Sequence, residues 1–151
     1  MEPILSTPEE LLPHRPPMLL LTSSGAADKD TVTAQCVIGE TCRLFKLPNG
    51  RYGAWILIEL MAQTIGLYAG LKNRSEGSAP RVGFLLGTRQ FEVHVGDLSD
   101  GDVIDLSARC VFYSDGELPC QFDCRARRNG REIAAANLTV YQPNSLNSWK
   151  N

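Results

Sequence analysis

One carboxylate lies inside an otherwise uncharged and largely apolar stretch of the chain. Glu59 is the only charged residue between Ala54 and Leu71, and Gln63 follows it one helical turn later. Burying an isolated carboxylate costs several kcal/mol, unless the group takes up a proton or finds a partner. Such a group is typical of a general acid or base. The alternative is a glutamate at the rim of a dimer interface, paired with an arginine.

Two glycines extend the stripe that Glu59 and Gln63 begin. Gly66 and Gly70 follow at helical spacing, although each costs a helix interior about 1 kcal/mol relative to alanine. Positions without side chains predict a narrow channel that ends at the carboxyl group. Close packing against another segment is the competing explanation.

The chain has two histidines that could act as a base beside Glu59. His94 alternates with Glu92 and Gln90 on what we expect to be the solvent side of a strand. His14 precedes a segment that we expect beside the long helix, which makes it the favoured imidazole. Two alternatives remain open: His14 only fixes the N-terminal segment together with Arg15, or the site uses no histidine.

Two helices are predicted. The stretch from about Ala54 to Lys72 has no solvated face, which is typical of a buried helix. A short helix over residues 7–12 begins with Thr7 as cap, Pro8 in the first turn and Glu10 three residues after the cap. Prolines that follow at once keep it short.

The rest of the chain predicts strands joined by turns. Strands are expected over Met18–Thr22 and Thr31–Ile38, with a Gly-Ala-Ala-Asp turn after the first and a loop through Pro48, Asn49 and Gly50 after the second. After a flexible stretch, Asn73 to Pro80, alternation of apolar residues predicts four more strands, the first with a bulge near Gly87. Their ranges are 82–95, 104–112, 120–126 and 134–140, with turns at Asp100-Gly101, Asp115-Gly116 and Asn129-Gly130.

A meander with one apolar face needs a cover, and the long helix is the candidate. The sequence therefore predicts an α+β hot-dog fold, an antiparallel sheet wrapped around one long central helix, as a single domain over residues 1–151. An unpaired sheet edge also predicts self-association.

Composition narrows the functional classes. A net charge of −2 argues against nucleic-acid binding, and the acidic, proline-rich start is unlike a secretory signal. Glu59 within the most apolar stretch argues against a membrane span. Five cysteines without an export signal indicate a reducing compartment, and we expect a cytoplasmic protein. Cys42 is expected in a loop. The other four share the apolar phase of strands and are expected to be buried: Cys36, Cys110, Cys120 and Cys124.

Two segments resemble a known family. LPHRPPMLLL (Leu12–Leu21) and IELMAQTIGLYAG (Ile58–Gly70) are similar to the 3-hydroxyacyl-acyl carrier protein dehydratases, most closely to a divergent branch associated with aryl polyene pathways. The resemblance implies dehydration of 3-hydroxyacyl thioesters carried on the 4′-phosphopantetheine arm of an acyl carrier protein, without metal or organic cofactor. It maps Glu59 onto the catalytic acid and Gln63 onto the supporting glutamine.

The chemistry also needs a group that stabilises the thioester oxygen. Backbone N–H groups at the start of the long helix, at Gly53, Ala54 and Trp55, are the predicted donors. The family's basic histidine, fourteen residues before the glutamate, is replaced here by Phe45, which we count among the substrate-binding positions with Gly66.

That replacement keeps two other functions open. The chain could be a hot-dog thioesterase, in which Glu59 activates water, or a non-catalytic acyl-binding or partner subunit. We expect a homodimer or a hetero-oligomer with another hot-dog subunit. A basic cluster lies near the Asn129-Gly130 turn and consists of Arg125, Arg127, Arg128 and Arg131. It could contact an acidic carrier protein, or its side chains could simply be solvated on the hairpin.

Overall fold

The computed structural model describes residues 1–77, 83–114 and 118–143. Two helices and nine strands follow one another in that part of the chain, with a 3-10 helix at Glu40–Phe45 between β3 and β4. Their bounds are β1 Glu2–Pro3, α1 Pro8–Leu11, β2 Ser23–Ala27, β3 Thr31–Val37, β4 Tyr52–Gly53, α2 Ile56–Ser75, β5 Phe84–Val93, β6 Asp97–Leu98, β7 Val103–Phe112, β8 Cys120–Arg128 and β9 Arg131–Tyr141.

Seven strands form one antiparallel sheet with α2 against it. The strand order is β1-β2-β3-β7-β8-β9-β5, and the two-residue strands β4 and β6 pair separately. Helix α2 packs against β3, β7, β8 and β9. The hot-dog arrangement predicted from the sequence is therefore confirmed.

The core lies between α2 and the inward face of the sheet. Strand alternation placed the inward residues correctly: Val32, Ala34 and Cys36 of β3 are buried, and their neighbours Thr31 and Thr33 are less so. The side chains that α2 contributes to the core are fully or almost fully buried. Burial of each of the larger ones stabilises the fold by about 1.5–3 kcal/mol. They include Ile56, Leu57, Leu60, Met61, Ile65 and Leu67.

The predicted helix start and turns follow their local chemistry. Thr7 caps α1 in a capping box, since its side chain accepts from the Glu10 N–H and the Glu10 carboxylate accepts from the Thr7 N–H. Asn129 and Gly130 have φ of 53° and 76°, the left-handed pair that a tight hairpin needs. The predicted bulge is also present, as the β5–β9 register shifts on both sides of Gly87.

Some predicted boundaries are wrong. Met18–Thr22 is not a strand, because a side chain of α2 takes the hydrogen bonds that a neighbouring strand would form; the strand is Ser23–Ala27, which includes most of the predicted turn. Helix α2 begins at Ile56 rather than Ala54 and continues to Ser75, so the predicted flexible stretch is partly helical. The Asp115-Gly116 turn lies outside the described residues.

Within residues 1–77, 83–114 and 118–143, no helix is both long enough and apolar enough to cross a membrane.

Candidate active site

One face of α2 is covered less completely than the rest of the helix. The less-buried residues recur every three or four positions, in contrast to their buried neighbours. The prediction of a helix buried on every side is therefore wrong for this stripe: Trp55, Ile58, Glu59, Ala62, Gly66 and Ala69.

A cavity of about 190 Å³ lies along part of this stripe. Its α2 wall is Glu59, Ala62, Ile65, Gly66, Ala69, Gly70 and Asn73. The N-terminal segment contributes Leu11, Pro13 and His14. The sheet side contributes Gly83, Leu85, Tyr113, Ser114, Cys120, Phe122, Val140 and Gln142. The cavity is therefore largely apolar. Glu59 contributes a carboxyl group to its lining and His14 an imidazole.

Glu59 is half-buried and hydrogen-bonded. Its Oε1 accepts from Nε2 of Gln63 at 3.0 Å, the next residue on the same helix face. It is not fully buried, because it faces the cavity rather than the core, and no arginine among the described residues pairs with it. A carboxyl group in this position is accessible to a small molecule while one of its oxygens is held in place.

Gln63 links α2 to the segment that precedes β2. The side chain is 1% exposed, and its Oε1 accepts from the N–H of Leu20 at 2.9 Å. Its Nε2 donates to the carbonyl oxygen of Met18 at 2.8 Å as well as to Glu59. Gln63 does not line the cavity, so it supports Glu59 from behind rather than offering a free group to a ligand.

His14 lines the cavity from the N-terminal segment. The residue is half-buried, and its Nδ1 is a buried atom without a hydrogen-bond partner among the described residues. Arg15, by contrast, donates from Nη1 to the carbonyl oxygens of Glu9, Leu12 and His14. The side chain of Arg15 therefore fixes the N-terminal segment by hydrogen bonds to backbone carbonyls. The Nδ1 atom of His14 makes no hydrogen bond to the described residues.

The glycine stripe is explained mainly by packing. An added Cβ on Gly66 would lie 2.5 Å from Cδ2 of Leu12, and one on Gly70 would lie 2.3 Å from the carbonyl oxygen of Leu11. Both glycines also line the cavity. The missing side chains therefore make room for α1 and the residue after it. Close packing explains the positions of the two glycines better than a channel does.

The predicted oxyanion donors and Phe45 lie apart from the cavity. None of Gly53, Ala54, Trp55 and Phe45 lines it. They form their own cluster at the start of α2, where the Phe45 and Trp55 rings pack edge to face at 5.4 Å. Trp55 is 52% exposed, and the first-turn N–H groups of Leu57 and Ile58 already bond to the carbonyls of Ala54 and Trp55.

The remaining basic candidates lie elsewhere. His94 is exposed just beyond β5, where its backbone N–H bonds to Ile133, and it does not line the cavity. In the hairpin cluster, Arg125 pairs with Glu132 at 3.2 Å and Arg128 with Asp102 at 3.0 Å. These two pairs offset part of the positive charge that the sequence suggested for a carrier-protein contact.

The expectation that Cys42 lies in an exposed loop is wrong. Cys42 lies in the 3-10 helix, is fully buried, and its Sγ is 3.6 Å from Sγ of Cys36. The hydrogen bond with Cys42, together with burial, raises the pKa of Cys36. Of the other three, Cys120 and Cys124 are buried as predicted and Cys110 is only half-buried. No group of three or more metal-binding side chains is found among the described residues.

Residues that sequence reasoning missed include Tyr113 and Asn73, which lie beyond the alternating part of β7 and beyond the predicted end of α2. The inward phase of β8 did indicate Phe122, but only as a core residue.

Comparison with known proteins finds a family that matches nearly the whole chain. Residues 6–151 match the ApeP-like family model, described as ApeP dehydratase. A chain of the dehydratase heterocomplex ApeI:P from Xenorhabdus doucetiae superimposes with a TM-score of 0.90 at 25% identity, covering 97% of each chain.

Other similar structures are more distant. A hypothetical thioesterase with coenzyme A from Streptococcus pneumoniae has a TM-score of 0.55 at 18% identity, over 80% of this chain and 84% of that one. The PaaI protein of the E. coli phenylacetic acid degradation operon has a TM-score of 0.57 at 10% identity, over 78% and 80%. At these identities the likeness concerns the fold. No curated protein sequence matches the chain significantly.

Proposed function

The chain belongs to the ApeP-like dehydratase family, and from that premise we propose that it removes water from 3-hydroxyacyl thioesters on an acyl carrier protein, with Glu59 as general acid and His14 as base. The observation that carries the assignment of the residues is the cavity that both side chains line. It is a mostly apolar space, which suits an acyl chain, with its acid and its imidazole supplied by different segments.

The reaction requires two proton transfers. His14 takes the proton from the carbon next to the thioester carbonyl, and Glu59 gives a proton to the departing hydroxyl group, which leaves as water. The electron pair of the broken C–H bond becomes the new double bond of the 2-enoyl thioester. Proton transfer from His14 back to Glu59, directly or through water, restores the starting state.

The surroundings of the two side chains suit these roles. The Nδ1 atom of His14 has no hydrogen-bond partner among the described residues, so it is not occupied by a structural bond. One oxygen of Glu59 is held by Gln63, which fixes the carboxyl group relative to the helix and leaves the other for the substrate. A group that is already oriented loses less freedom when the transition state forms.

We assign a second binding region, at the start of α2, to Gly53, Ala54, Trp55 and Phe45. Trp55 lies on the less-buried stripe and packs against Phe45, and all four residues lie outside the cavity. An exposed aromatic side chain such as Trp55 suits contact with a pantetheine arm or with another protein subunit.

A second hot-dog subunit is the proposed partner. The similar ApeI:P structure is a dehydratase heterocomplex, which supports this assembly for the present chain. Strand β5 ends the sheet and exposes Leu85, a cavity-lining residue, and Leu86. A subunit that covers this edge would also complete the cavity wall.

Product analysis tests the proposed reaction. The purified protein, alone and in the complex with which it copurifies, is given 3-hydroxyacyl chains on a carrier protein, and the products are measured by mass spectrometry. We expect enoyl product, and a loss of about 10²–10⁴ in rate for Glu59→Gln. Glu76→Gln, an exposed acid just after α2, is the control and should match the wild type.

The other functions give different products. A free carrier-protein thiol with no enoyl product would indicate a thioesterase. Absence of both products, with Glu59→Gln identical to the wild type in the same complex, would reject the enzymatic assignment and favour a partner subunit.

A further inference from the structure

The cavity continues along α2 well beyond Glu59. Its α2 residues recur every three or four positions from Glu59 to Asn73. Fourteen residues of α-helix correspond to about 21 Å along the axis. The cavity therefore has a long dimension parallel to the helix, with Glu59 toward one end.

Tyr113 lies toward the opposite end. Its ring packs against Tyr68, with centroids 5.9 Å apart, and the ammonium group of Lys72 is 4.5 Å from its centroid. Both partners lie on the third and fourth turns of α2 after Glu59. Asn73 and Gln142 also line the cavity at this end, with Nδ2 of Asn73 donating to Oε1 of Gln142 at 3.4 Å.

The Tyr113 ring is held in place by its neighbours. Tyr68, which is 7% exposed, also packs edge to face on Phe122 at 5.2 Å, so three aromatic rings form one cluster. Such pairs contribute beyond the area that they bury, and Lys72 adds a cation–π contact. A fixed ring at the end of an apolar cavity is a rigid limit to what the cavity can hold.

We propose that Tyr113 limits the length of the acyl chain that the protein accepts. The inference rests on the proposed function, in which the thioester end of the substrate lies beside Glu59. From there the acyl chain extends along the small side chains of Ala62 and Ala69, between apolar walls that include Ile65 and Phe122, toward Tyr113.

Two variants move the limit in opposite directions. Tyr113→Ala removes the ring, and we expect kcat/KM for the longest chains, relative to the shortest, to rise about 10–100-fold. Ala69→Leu narrows the cavity between Glu59 and Tyr113, so long chains should lose a similar factor while the shortest are affected little. Tyr113→Phe keeps the ring and should retain the wild-type length profile.

The experiment measures kcat/KM for a series of 3-hydroxyacyl carrier proteins of increasing chain length, with melting temperatures to verify folding. If the wild type dehydrates these substrates and Tyr113→Ala keeps its length profile, the role of Tyr113 is refuted and the proposed function stands. If Tyr113→Ala does not fold, Tyr113→Leu, which also removes the ring, takes its place in this comparison.

If the wild type dehydrates none of the substrates, the proposed function fails separately. The length limit is then read from the binding of non-hydrolysable acyl-pantetheine analogues of graded length. A longer preferred chain in Tyr113→Ala supports the limit, and an unchanged preference in that variant rejects it.

Discussion

The side chain of Gln63 donates a hydrogen bond of 3.0 Å to the carboxylate of Glu59, while the same amide is bonded to the backbone of Met18 and Leu20. The candidate acid is therefore held by a residue that also attaches the N-terminal segment to α2. Because that segment continues from His14, Gln63 connects the walls that carry the two proposed catalytic groups.

Gln63→Ala should weaken both stability and catalysis. The substitution leaves the buried Leu20 N–H without this partner, which costs about 1–3 kcal/mol, whereas the carbonyl of Met18, an exposed residue, can bond to water instead. We expect the free energy of unfolding to fall by about 1–3 kcal/mol in urea titrations, and kcat to fall as well. Gln90→Ala, at an exposed position of β5, is the control. Equal stability of the two variants would mean that the buried amide is not what joins the segments.

Glu59→Gln, in contrast, should preserve the fold. A glutamine oxygen at position 59 can still accept from Gln63, so we expect the free energy of unfolding to change by less than about 1 kcal/mol. Urea unfolding of wild type and variant measures the difference. A large loss of stability would show that the charge of Glu59 has a structural role, and its loss of turnover could then not be assigned to proton transfer.

Gly70→Ala should destabilise the protein although alanine favours a helix. The new Cβ would lie 2.3 Å from the Leu11 carbonyl oxygen, a backbone atom that cannot move independently. Overpacking costs about 1–3 kcal/mol and the helix propensity returns about 1, so a melting temperature lowered by several degrees is expected. Gly87→Ala meets no atom within 4 Å and should be nearly neutral. A Gly70→Ala protein more stable than the wild type would show that α1 packs more loosely than described.

Regular patterns could be predicted from the sequence because they depend on neighbours along the chain. The alternation of Val32, Ala34 and Cys36 and the turn at Asn129-Gly130 are set by local pleat and backbone conformation, and both are found in the structure. The central helix followed from its apolar composition. Its limits were less accurate, since packing rather than a strong capping signal determines where it begins.

Contacts between distant segments could not be predicted in this way. Gln63 bonds to Leu20, 43 residues away, and thereby replaces the strand that Met18–Thr22 was expected to form. The sequence indicated that Gly66 and Gly70 were unusual, but not that Leu11 and Leu12 fill the space beside them. The single-domain boundary and the individual roles of the site residues remain predictions.

Thiol labelling should identify Cys110 as the first cysteine to react. Cys36, Cys42, Cys120 and Cys124 are buried, and burial raises the pKa of Cys124 to about 12, so its thiolate fraction at pH 8 is about 10⁻⁴. Cys110 is half-buried, although burial raises its pKa as well. We expect at most one fast label in native protein and five in denaturant, counted by mass spectrometry. Cys110→Ser should remove the native label, and rapid labelling of Cys42 would contradict its burial.

The protein should associate through the edge strand β5. Leu86 is 53% exposed on this strand, which has a neighbour, β9, on one side only among the described residues. Light scattering at micromolar concentration should show a dimer or a complex, and Leu86→Lys should shift it toward monomer. Val111→Lys, at a similarly exposed position on β7, is the control. A monomer in every sample, including one with the copurifying subunit, would exclude this edge as an interface.

His14 decides whether this chain supplies its own base. If His14 takes the α-proton, His14→Ala should lower kcat/KM by about 10²–10⁴, with little change in melting temperature. Combined with Glu59→Gln, the loss should be less than additive, because both groups act on one transition state. His94→Ala, at an exposed position outside the cavity, should behave as the wild type. If His14→Ala instead lowers the melting temperature and keeps most of the turnover, the imidazole is structural. The base must then come from elsewhere in the chain or from the partner subunit.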